Sequence, residues 1–306
     1  MCKEVLTTYL DAQGAGRVID INGSITPTVR CFTLTGGHAN TGAGINVNNA
    51  SATIASNIIT NNVADSYGGG INVESAGVVI TANAVLSNSA TNGGGGIELT
   101  GATATLGNNR IAENRATYGG GLELDKASVT ATANLVIHNQ SSSAWMISGA
   151  GDYKLVAVNN AVVNNDGAAF RIYNYRADLV HNTIVSNTGN AVEGYYTATL
   201  VLTNNVIAYN TGAGIFSGSG GSAVATYNLF WGNSSDPITG THAVLGNPDL
   251  LTDGYHIGPG SAAINAGVDA GVTTDIDGDP RPIGPLPDIG ADERRMYVYL
   301  PVILRN

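Results

Sequence analysis

One short pattern recurs eight times along the chain and sets the period of the whole sequence. It consists of Asn, any residue, a branched or aromatic apolar residue, any two residues and a second Asn. Successive copies are about 25–26 residues apart in the first half of the chain and 22–23 apart in the second. A repeat of this length is one supersecondary unit that buries its apolar side only against its neighbours, so the pattern predicts a solenoid. The eight copies are Asn57–Asn62, Asn83–Asn88, Asn109–Asn114, Asn134–Asn139, Asn160–Asn165, Asn182–Asn187, Asn205–Asn210 and Asn228–Asn233.

Each repeat also holds a second alternation of apolar residues, about thirteen residues before its leading Asn. The early copies are Ile45–Val47, Ile71–Val73, Ile97–Leu99 and Leu122–Leu124. Runs of three to five residues with period 2, broken by Gly or Asn, are typical of short strands, and no repeat contains a stretch that could form a two-turn helix. We therefore predict an all-β chain that forms a parallel β-helix of about nine or ten coils.

The composition agrees with this architecture. The 306 residues include 41 Gly, and only 12% of the residues are charged. Asn tolerates the left-handed backbone of sharp corners, and stacked Asn amides can hydrogen-bond from coil to coil. We therefore interpret the Asn columns as structural and not as a binding site.

Charge and hydropathy limit the partners. The net charge of -10 and the pI near 4.7 disfavour phosphate backbones and anionic lipid surfaces, so we expect no nucleic-acid partner. No apolar run of about 18 residues is present, so we expect no transmembrane segment. We also expect a monomer.

After about Asn247 the repeat stops, and a segment rich in Pro and Asp begins. Its motifs are Asn247-Pro248-Asp249-Leu250, Asp253-Gly254-Tyr255-His256-Ile257, Gly260-Ser261-Ala262-Ala263-Ile264-Asn265-Ala266-Gly267, Asp275-Ile276-Asp277-Gly278-Asp279-Pro280-Arg281-Pro282 and Asp288-Ile289-Gly290-Ala291-Asp292-Glu293. The segment resembles the choice-of-anchor Q domain, which ends secreted right-handed parallel β-helix proteins of bacteria, a superfamily similar to pectate lyases. Asn265 stands where Asp is usual in that domain, and Asp292 stands where an aromatic residue is usual.

The resemblance implies that the chain has three segments and that the protein is located outside the cell. Residues 1–246 are the right-handed β-helix with its opening coils, residues 247–293 are a C-terminal capping module, and residues 294–306 resemble the short tail of exported bacterial proteins. The resemblance also implies an extracellular or cell-surface protein whose signal peptide is absent from this sequence. It implies little about chemistry.

The coil register converts the sequence into rows on the surface of the first strand of each coil. Because the apolar residues point inward, the residue between them is expected to face solvent. The first outward row is Asn46, Asn72, Glu98, Glu123, Met146, Arg171, Glu193 and Phe216. The second outward row is Asn48, Glu74, Thr100, Asp125, Ser148, Tyr173 and Tyr195. Four carboxylates therefore cluster on three neighbouring coils.

These rows contain the candidate site. Glu98 and Glu123 would be about 5 Å apart, which suits an acid/base pair and the two carboxylates of a retaining glycosidase. Alternatively, Glu74, Glu98, Glu123 and Asp125 could hold Ca²⁺. A polysaccharide lyase would then use Arg171 or Lys126 as its base. Glu193 and the flat faces of Tyr173 and Tyr195 are candidate sugar-binding groups. A plain row of polar, solvent-facing residues is the third interpretation.

Outside these rows the sequence offers weaker candidates. Glu113 and His138 lie on consecutive coils, where we predict a surface ion pair. His38, His181, His242 and His256 fall in different registers, so we predict no metal site and no resident cofactor. For Asp275–Asp279 we predict an Asp turn with an Arg281–Asp288 pair and no bound Ca²⁺. These observations leave two functions open. The first is an extracellular protein that binds or cleaves acidic or neutral polysaccharide, such as a cell-surface glycan, and the second is a non-catalytic surface scaffold for adhesion.

Overall fold

A computed structural model describes residues 8–295 of the chain. These residues form an all-β parallel solenoid of nine full coils and contain no helix. The prediction of an all-β parallel β-helix of about nine or ten coils is confirmed. The tail predicted for residues 294–306 lies almost wholly outside the described residues.

Each coil contributes one strand to each of three long parallel sheets. The front sheet has nine strands: Ile19–Asn22, Ile45–Asn48, Ile71–Glu74, Ile97–Thr100, Leu122–Asp125, Ser143–Ser148, Ala168–Tyr173, Val192–Tyr195 and Ile215–Ser217. The back sheet has nine: Thr28–Arg30, Ser51–Ala55, Gly77–Thr81, Thr103–Gly107, Ser128–Thr132, Lys154–Val158, Arg176–Val180, Thr199–Thr203 and Ser222–Thr226. The side sheet has eleven: Tyr9–Asp11, Thr33–Thr35, Ile58–Thr60, Ala84–Leu86, Arg110–Ala112, Leu135–Ile137, Ala161–Val163, Thr183–Val185, Val206–Ala208, Leu229–Trp231 and Val244–Leu245.

A fourth, shorter sheet accompanies the first coils. We call it the flanking sheet, and its strands are His38–Thr41, Val63–Tyr67 and Ser89–Ala90. It joins the side sheet to the Gly-rich corners that precede the front strands. Its register shifts between Ala39 and Thr41.

The core is a continuous column of inward-facing apolar side chains. Ile45, Ile71 and Ile97 stack in register along the front sheet and are fully buried. In the middle coils larger residues fill the column, and the rings of Trp145 and Phe170 lie 5.1 Å apart. Burial of this column is the main driving force for stacking the coils.

The repeated Asn residues form two buried ladders along the solenoid. In the first ladder, the Asn109 amide donates to Oδ1 of Asn134 at 2.9 Å, and the Asn134 amide donates to Oδ1 of Asn160 at 2.9 Å. In the second, Asn114 donates to Asn139 at 3.0 Å. The structural interpretation of the Asn columns is therefore confirmed.

The left-handed corners do not fall on the ladder residues themselves. Positive φ angles occur at the residue before each ladder Asn, as at Ala133 (54°) before Asn134 and His138 (57°) before Asn139. The expectation that the ladder Asn residues occupy the left-handed positions was wrong. The ladder Asn instead uses its amide to satisfy backbone groups that the corner leaves unpaired, as where Asn134 donates to the carbonyl of Leu106.

The terminal module, residues 247–293, packs along the outside of the side sheet. Ile257, Ala263 and Ile289 of the module form one buried cluster with residues of the side sheet. Polar contacts reach the same face, because the Ala291 amide donates to Oγ1 of Thr183 at 3.0 Å. The end of the core column is covered instead by a preceding segment, in which Ile238 and Ala243 pack against the core.

The sequence predicted that the terminal module caps the end of the solenoid, whereas the module covers the side sheet. The burial pattern of the side sheet explains this position. The later strands of the side sheet, such as Ala161–Val163 and Val206–Ala208, are buried at all three positions, whereas the earlier strand Ile58–Thr60 buries only its middle residue. Apolar residues on both faces of a strand need cover on both faces. The module supplies the outer cover.

Within the module, Asp275 forms the predicted turn, but Arg281 does not form the predicted ion pair with the Asp288 carboxylate. Asp275 Oδ1 accepts the amides of Asp277 (2.9 Å) and Asp279 (2.8 Å). The buried guanidinium of Arg281 forms its ion pair with Glu293 at 3.2 Å and donates to the backbone carbonyl of Asp288, not to its carboxylate. The Arg281–Asp288 side-chain pair was therefore a wrong prediction, because the Asp288 carboxylate accepts backbone amides of Asn265 and Arg294.

Residues 8–295 include no helix that is long and apolar enough to cross a membrane.

Candidate functional site

The two outward rows of the front sheet stack in the predicted register. Glu98 pairs with Glu123 on the next strand, and Thr100 pairs with Asp125. Arg171 pairs with Glu193, and Tyr173 pairs with Tyr195. Every candidate residue therefore lies on one face of the molecule, on neighbouring strands.

The first outward row is much less exposed than expected. Asn72, Glu98 and Glu193 are only 3–6% exposed. The expectation that this row faces open solvent was wrong for these positions. The Gly-rich corners pack closely against the row at the early coils, as Gly68 does against Asn72 and Gly94 against Glu98. The side chains of Arg171, Asn190 and Tyr195 contact Glu193.

The four carboxylates line one pocket of about 350 Å³, which we call the acidic pocket. Thr41 and Tyr67 of the flanking sheet form its rim. Its walls come from four consecutive front strands, and its complete lining is Thr41, Tyr67, Asn72, Glu74, Glu98, Thr100, Glu123, Asp125 and Ser148. A concave site with convergent titratable groups is a better candidate for function than a flat polar row.

Glu98 and Glu123 have raised pKa values for the same two reasons. Burial raises the pKa of Glu98 well above its ordinary value, and the negative charge of Glu123 raises it further. Burial also raises the pKa of Glu123 to about 7, with a further contribution from the charge of Asp125. Thr100 donates to Glu98 Oε1 at 3.0 Å, whereas Oε2 of Glu98 and Oε2 of Glu123 are both buried without a hydrogen-bond partner. Glu98 therefore holds its proton more firmly than an ordinary glutamate, and Glu123, with a pKa of about 7, is partly ionised near neutral pH.

A glycine creates space directly at the Glu123 carboxylate. Thr41, Tyr67, Gly93 and Tyr118 occupy equivalent positions on four successive coils, because Gly93 bridges to both tyrosines and Tyr67 pairs with Thr41. A Cβ atom at Gly93 would lie 1.4 Å from Oε2 of Glu123. The two exposed tyrosines therefore flank a gap in which the carboxylate lies.

We expect Gly93→Ala to displace the Glu123 side chain, because the new methyl group and Oε2 cannot occupy the same space. Once displaced towards solvent, Glu123 should lose part of its burial, and its pKa should fall from about 7 towards 4.5. A pH titration followed by the ¹³C signal of the carboxyl carbon measures this change. Gly77→Ala is the control, since its Cβ would meet nothing closer than 3.6 Å. An unchanged Glu123 titration in Gly93→Ala would contradict this prediction.

Beyond the acidic pocket the same face becomes aromatic. The rings of Tyr173 and Tyr195 stack at 5.1 Å with an angle of 19° between their planes. Tyr196 lies 5.9 Å from Tyr173, and Phe216 lies 5.8 Å from Tyr195. We call these four side chains the aromatic row.

Arg171 lies on the same strand as Tyr173 and is paired with Glu193 on the next strand. Burial lowers the pKa of Arg171, but the hydrogen bond and charge of Glu193 outweigh this and raise it overall. Glu193 also accepts from Asn190 at 2.6 Å and from the Tyr195 hydroxyl at 3.3 Å. A guanidinium held in this way stays protonated, so the arrangement favours a positioning group over a base.

The calcium alternative finds limited support in the geometry. No three of the pocket's carboxylates bring ligand oxygens within 4.8 Å of one another. Ca²⁺ takes six to eight oxygen ligands at 2.3–2.6 Å. Lys126, the alternative base, lies 3.8 Å from Asp125 at an exposed position. Two buried carboxylate oxygens of this pocket, Oε2 of Glu98 and Oε2 of Glu123, nevertheless have no hydrogen-bond partner.

The pair predicted for Glu113 and His138 does not form. Both residues occupy left-handed corners of the solenoid, at φ of 59° and 57°. Glu113 accepts instead from the Ser87 hydroxyl on the preceding coil at 3.1 Å.

The two rim residues and the neighbouring Tyr118 were not predicted from the sequence. Thr41, Tyr67 and Tyr118 each stand directly before the glycine that opens a corner, at Gly42, Gly68 and Gly119. This position could have been recognised in the sequence. A residue directly before a corner glycine lies beside the face that the next front strand forms. Tyr196 was also missed, since it follows its strand.

A comparison with protein families agrees with this architecture. The family described as right-handed β-helix region matches residues 43–199, about half of the chain. The chain therefore belongs to the right-handed β-helix family. The crystal structure of pectate lyase Pel9A is similar, with a TM-score of 0.48 and 15% identity over 92% of this chain and 86% of that one. No curated protein matches the sequence.

Proposed function

We propose that this chain acts outside the cell, binds a neutral polysaccharide along the front sheet and hydrolyses it at Glu98 and Glu123. The observation that carries the proposal is the acidic pocket, in which two paired carboxyl groups with raised pKa values lie beside a row of aromatic rings.

The two carboxyl groups suit different roles. Glu98 is more deeply buried and keeps its proton, so it can protonate the leaving oxygen of a glycosidic bond. Glu123, with a pKa of about 7, is ionised in part of the population and can attack the anomeric carbon. Water then hydrolyses the glycosyl-enzyme ester, while ionised Glu98 accepts the proton of that water. Paired positions on parallel strands about 4.8 Å apart match the carboxyl separation of retaining enzymes.

The aromatic row supports binding of an extended chain. From the strand of Glu98 to the strand of Phe216 there are five steps of about 4.8 Å, or about 24 Å in total. Sugar rings present apolar faces that pack on aromatic rings, and Tyr hydroxyls add hydrogen bonds. Tyr173, Tyr195 and Phe216 would contact successive sugars along this length.

Charge favours a neutral glycan over a uronate. The acidic pocket contains Glu74, Glu98, Glu123 and Asp125, and the one nearby guanidinium, Arg171, is already neutralised by Glu193. An acidic sugar would need a cation such as Ca²⁺ beside these carboxylates. The lyase alternative therefore predicts activity on an acidic polysaccharide only when Ca²⁺ is added, and the experiment described below includes that condition.

A non-catalytic surface scaffold is the second candidate, and one observation favours it. Oε2 of Glu98 and Oε2 of Glu123 have no contact with solvent, so a substrate reaches them only when the rim of the pocket moves. In this alternative the solenoid is a rigid spacer, and the buried carboxyl groups have no chemical role.

A panel of neutral and acidic polysaccharides, assayed for binding and for released products with Ca²⁺ or with EDTA, tests the proposal. We expect product from a neutral glycan in both conditions, and its loss in Glu98→Gln and in Glu123→Gln with binding retained. Glu113→Gln, an exposed carboxylate away from the pocket, is the matched control. If the activity survives both substitutions, Glu98 and Glu123 are not the catalytic pair. Activity on a uronate that requires Ca²⁺ supports the lyase alternative. Absence of binding to every glycan supports the scaffold.

Removing the aromatic row should weaken binding without removing the chemistry. We expect Tyr173→Ala and Tyr195→Ala each to weaken glycan affinity about tenfold, which corresponds to roughly 1.4 kcal/mol. Affinity electrophoresis or calorimetry with the glycan that binds measures the change. Tyr9→Ala, an exposed tyrosine at the other end of the solenoid, should leave the affinity unchanged. Equal losses for all three variants would contradict a binding role for this row.

A further inference from the structure

The terminal module contains a second pocket, far along the chain from the acidic pocket. Its volume is about 420 Å³, and His256, Asp277 and Asp292 all lie on its surface. Asp277 and Asp292 follow His256 by 21 and 36 residues in the sequence, and the fold of the module brings the three side chains together.

The ligand-type atoms of this trio converge on one point. One atom from each of His256, Asp277 and Asp292 lies within 4.8 Å of the other two, and no other group of His, Cys, Asp or Glu in residues 8–295 meets this criterion. The distance between Nε2 of His256 and Oδ2 of Asp277 is 2.7 Å. Imidazole nitrogen and carboxylate oxygen are both ligand types that Zn²⁺ accepts in proteins.

Surrounding contacts already hold two of the three groups in place. Nδ1 of His256 lies 2.6 Å from Oδ2 of Asp253, and Oδ1 of Asp253 accepts the amides of Tyr255 and His256 at 3.1 Å each. A carboxylate on the far nitrogen of a histidine fixes the ring and directs the other nitrogen towards a metal. Asp292 is likewise oriented, because its Oδ2 accepts the amide of Ile257 at 2.8 Å.

We propose that His256, Asp277 and Asp292 form a site for a divalent transition metal, for which Zn²⁺ is the suitable probe, with Asp253 as the orienting group on His256. The metal replaces the proton that Nε2 shares with Asp277, and this proton leaves to solvent. Imidazole nitrogen favours Zn²⁺ over Ca²⁺, which takes a larger shell of oxygen ligands. Asp292 stands where the domain that this module resembles usually has an aromatic residue, so the site would be a property of this chain.

Calorimetry of the metal-free, full-length chain with Zn²⁺ tests the site. We expect one Zn²⁺ per chain, an absorption band of bound Co²⁺ in the visible range, and a higher Tm with the metal. Ca²⁺ in millimolar excess should not displace Zn²⁺. Asp277→Asn should abolish the one-to-one binding, and Asp253→Asn should weaken it about 10–100-fold.

Two controls separate a metal site from a structural hydrogen-bond network. Asp279→Asn changes another carboxylate of the same pocket, one paired with Arg295, and should bind Zn²⁺ as the unchanged chain does. Asp277 is half exposed, so its Asn variant is expected to fold even if changes at the buried Asp292 prevent folding. Absence of saturable Zn²⁺ binding, or binding that Asp277→Asn leaves intact, overturns the proposal.

Discussion

Replacing Glu123 with Gln is expected to stabilise the chain by about 3 kcal/mol at pH 8 and to leave its stability nearly unchanged near pH 4. The folded chain raises the pKa of Glu123 from 4.5 to about 7, mainly through burial. A carboxyl group with a raised pKa stabilises the folded state in its protonated form, so its contribution is fully present below pH 4.5 and is lost as the pH rises through 7. A difference of about 2.5 pH units at 1.36 kcal/mol each gives the expected size. The Gln variant carries no charge and avoids this loss.

Urea unfolding of both chains at several pH values between 4 and 8 measures the effect. Glu74→Gln is the matched control, because it changes an exposed carboxylate that lines the same pocket. Its stability relative to the unchanged chain should vary little with pH. A gain in Glu123→Gln that is the same at pH 4 and pH 8, or no gain at pH 8, would show that the group is not held in a desolvated pocket. This experiment needs no substrate, so it tests the electrostatics of the site separately from the proposed activity.

Replacing Asn134 with Ala is expected to destabilise the chain by about 4 kcal/mol. Oδ1 of Asn134 accepts both the backbone amide and the side-chain amide of Asn109, at 3.0 and 2.9 Å. Its own amide donates to the carbonyl of Leu106 at 3.0 Å and to Asn160. Ala leaves several of these buried groups without partners, and each orphaned group costs about 1–3 kcal/mol. The ladder position is fully buried, so water does not replace the lost contacts.

The midpoint of thermal or urea unfolding measures this loss. Asn92→Ala is the control, because Asn92 is exposed and its side-chain amide donates to the Ser66 hydroxyl at 3.0 Å. Its effect should stay within about 0.5 kcal/mol, as for most surface substitutions. A loss below about 1 kcal/mol for Asn134→Ala would contradict a stabilising role for the ladder and would favour a purely conformational role for Asn at the corners.

The alignment of the candidate residues could be predicted from the repeat, whereas their burial could not. Glu98 and Glu123 occupy the same place in consecutive repeats, so stacking of the coils pairs them whatever else surrounds them. Burial of Glu98 depends instead on the connecting segment between the Asn motif and its front strand, where the corner at Gly94 packs against its side chain. The connecting segments of the first coils also hold the flanking strands at residues 38–41, 63–67 and 89–90. Those segments carry a register shift and little periodicity, so the sequence pattern did not indicate that they would form a sheet.

The terminal module shows the same division. Its motifs were visible in the sequence, but its place along the side sheet follows from apolar residues on the outward face of late strands such as Val206–Ala208. His256, Asp277 and Asp292 share no register and no common spacing, so only the folded module brings them together.

The sequence by itself determined the fold class, the number of coils and the register of both outward rows, because a period of 22–26 residues leaves one way to stack short strands with their apolar residues inward. Tertiary structure alone decided which of those outward residues become buried and which titrate abnormally. The physical reason is that desolvation depends on segments distant in sequence that fold over a side chain, and a local repeat carries no information about them.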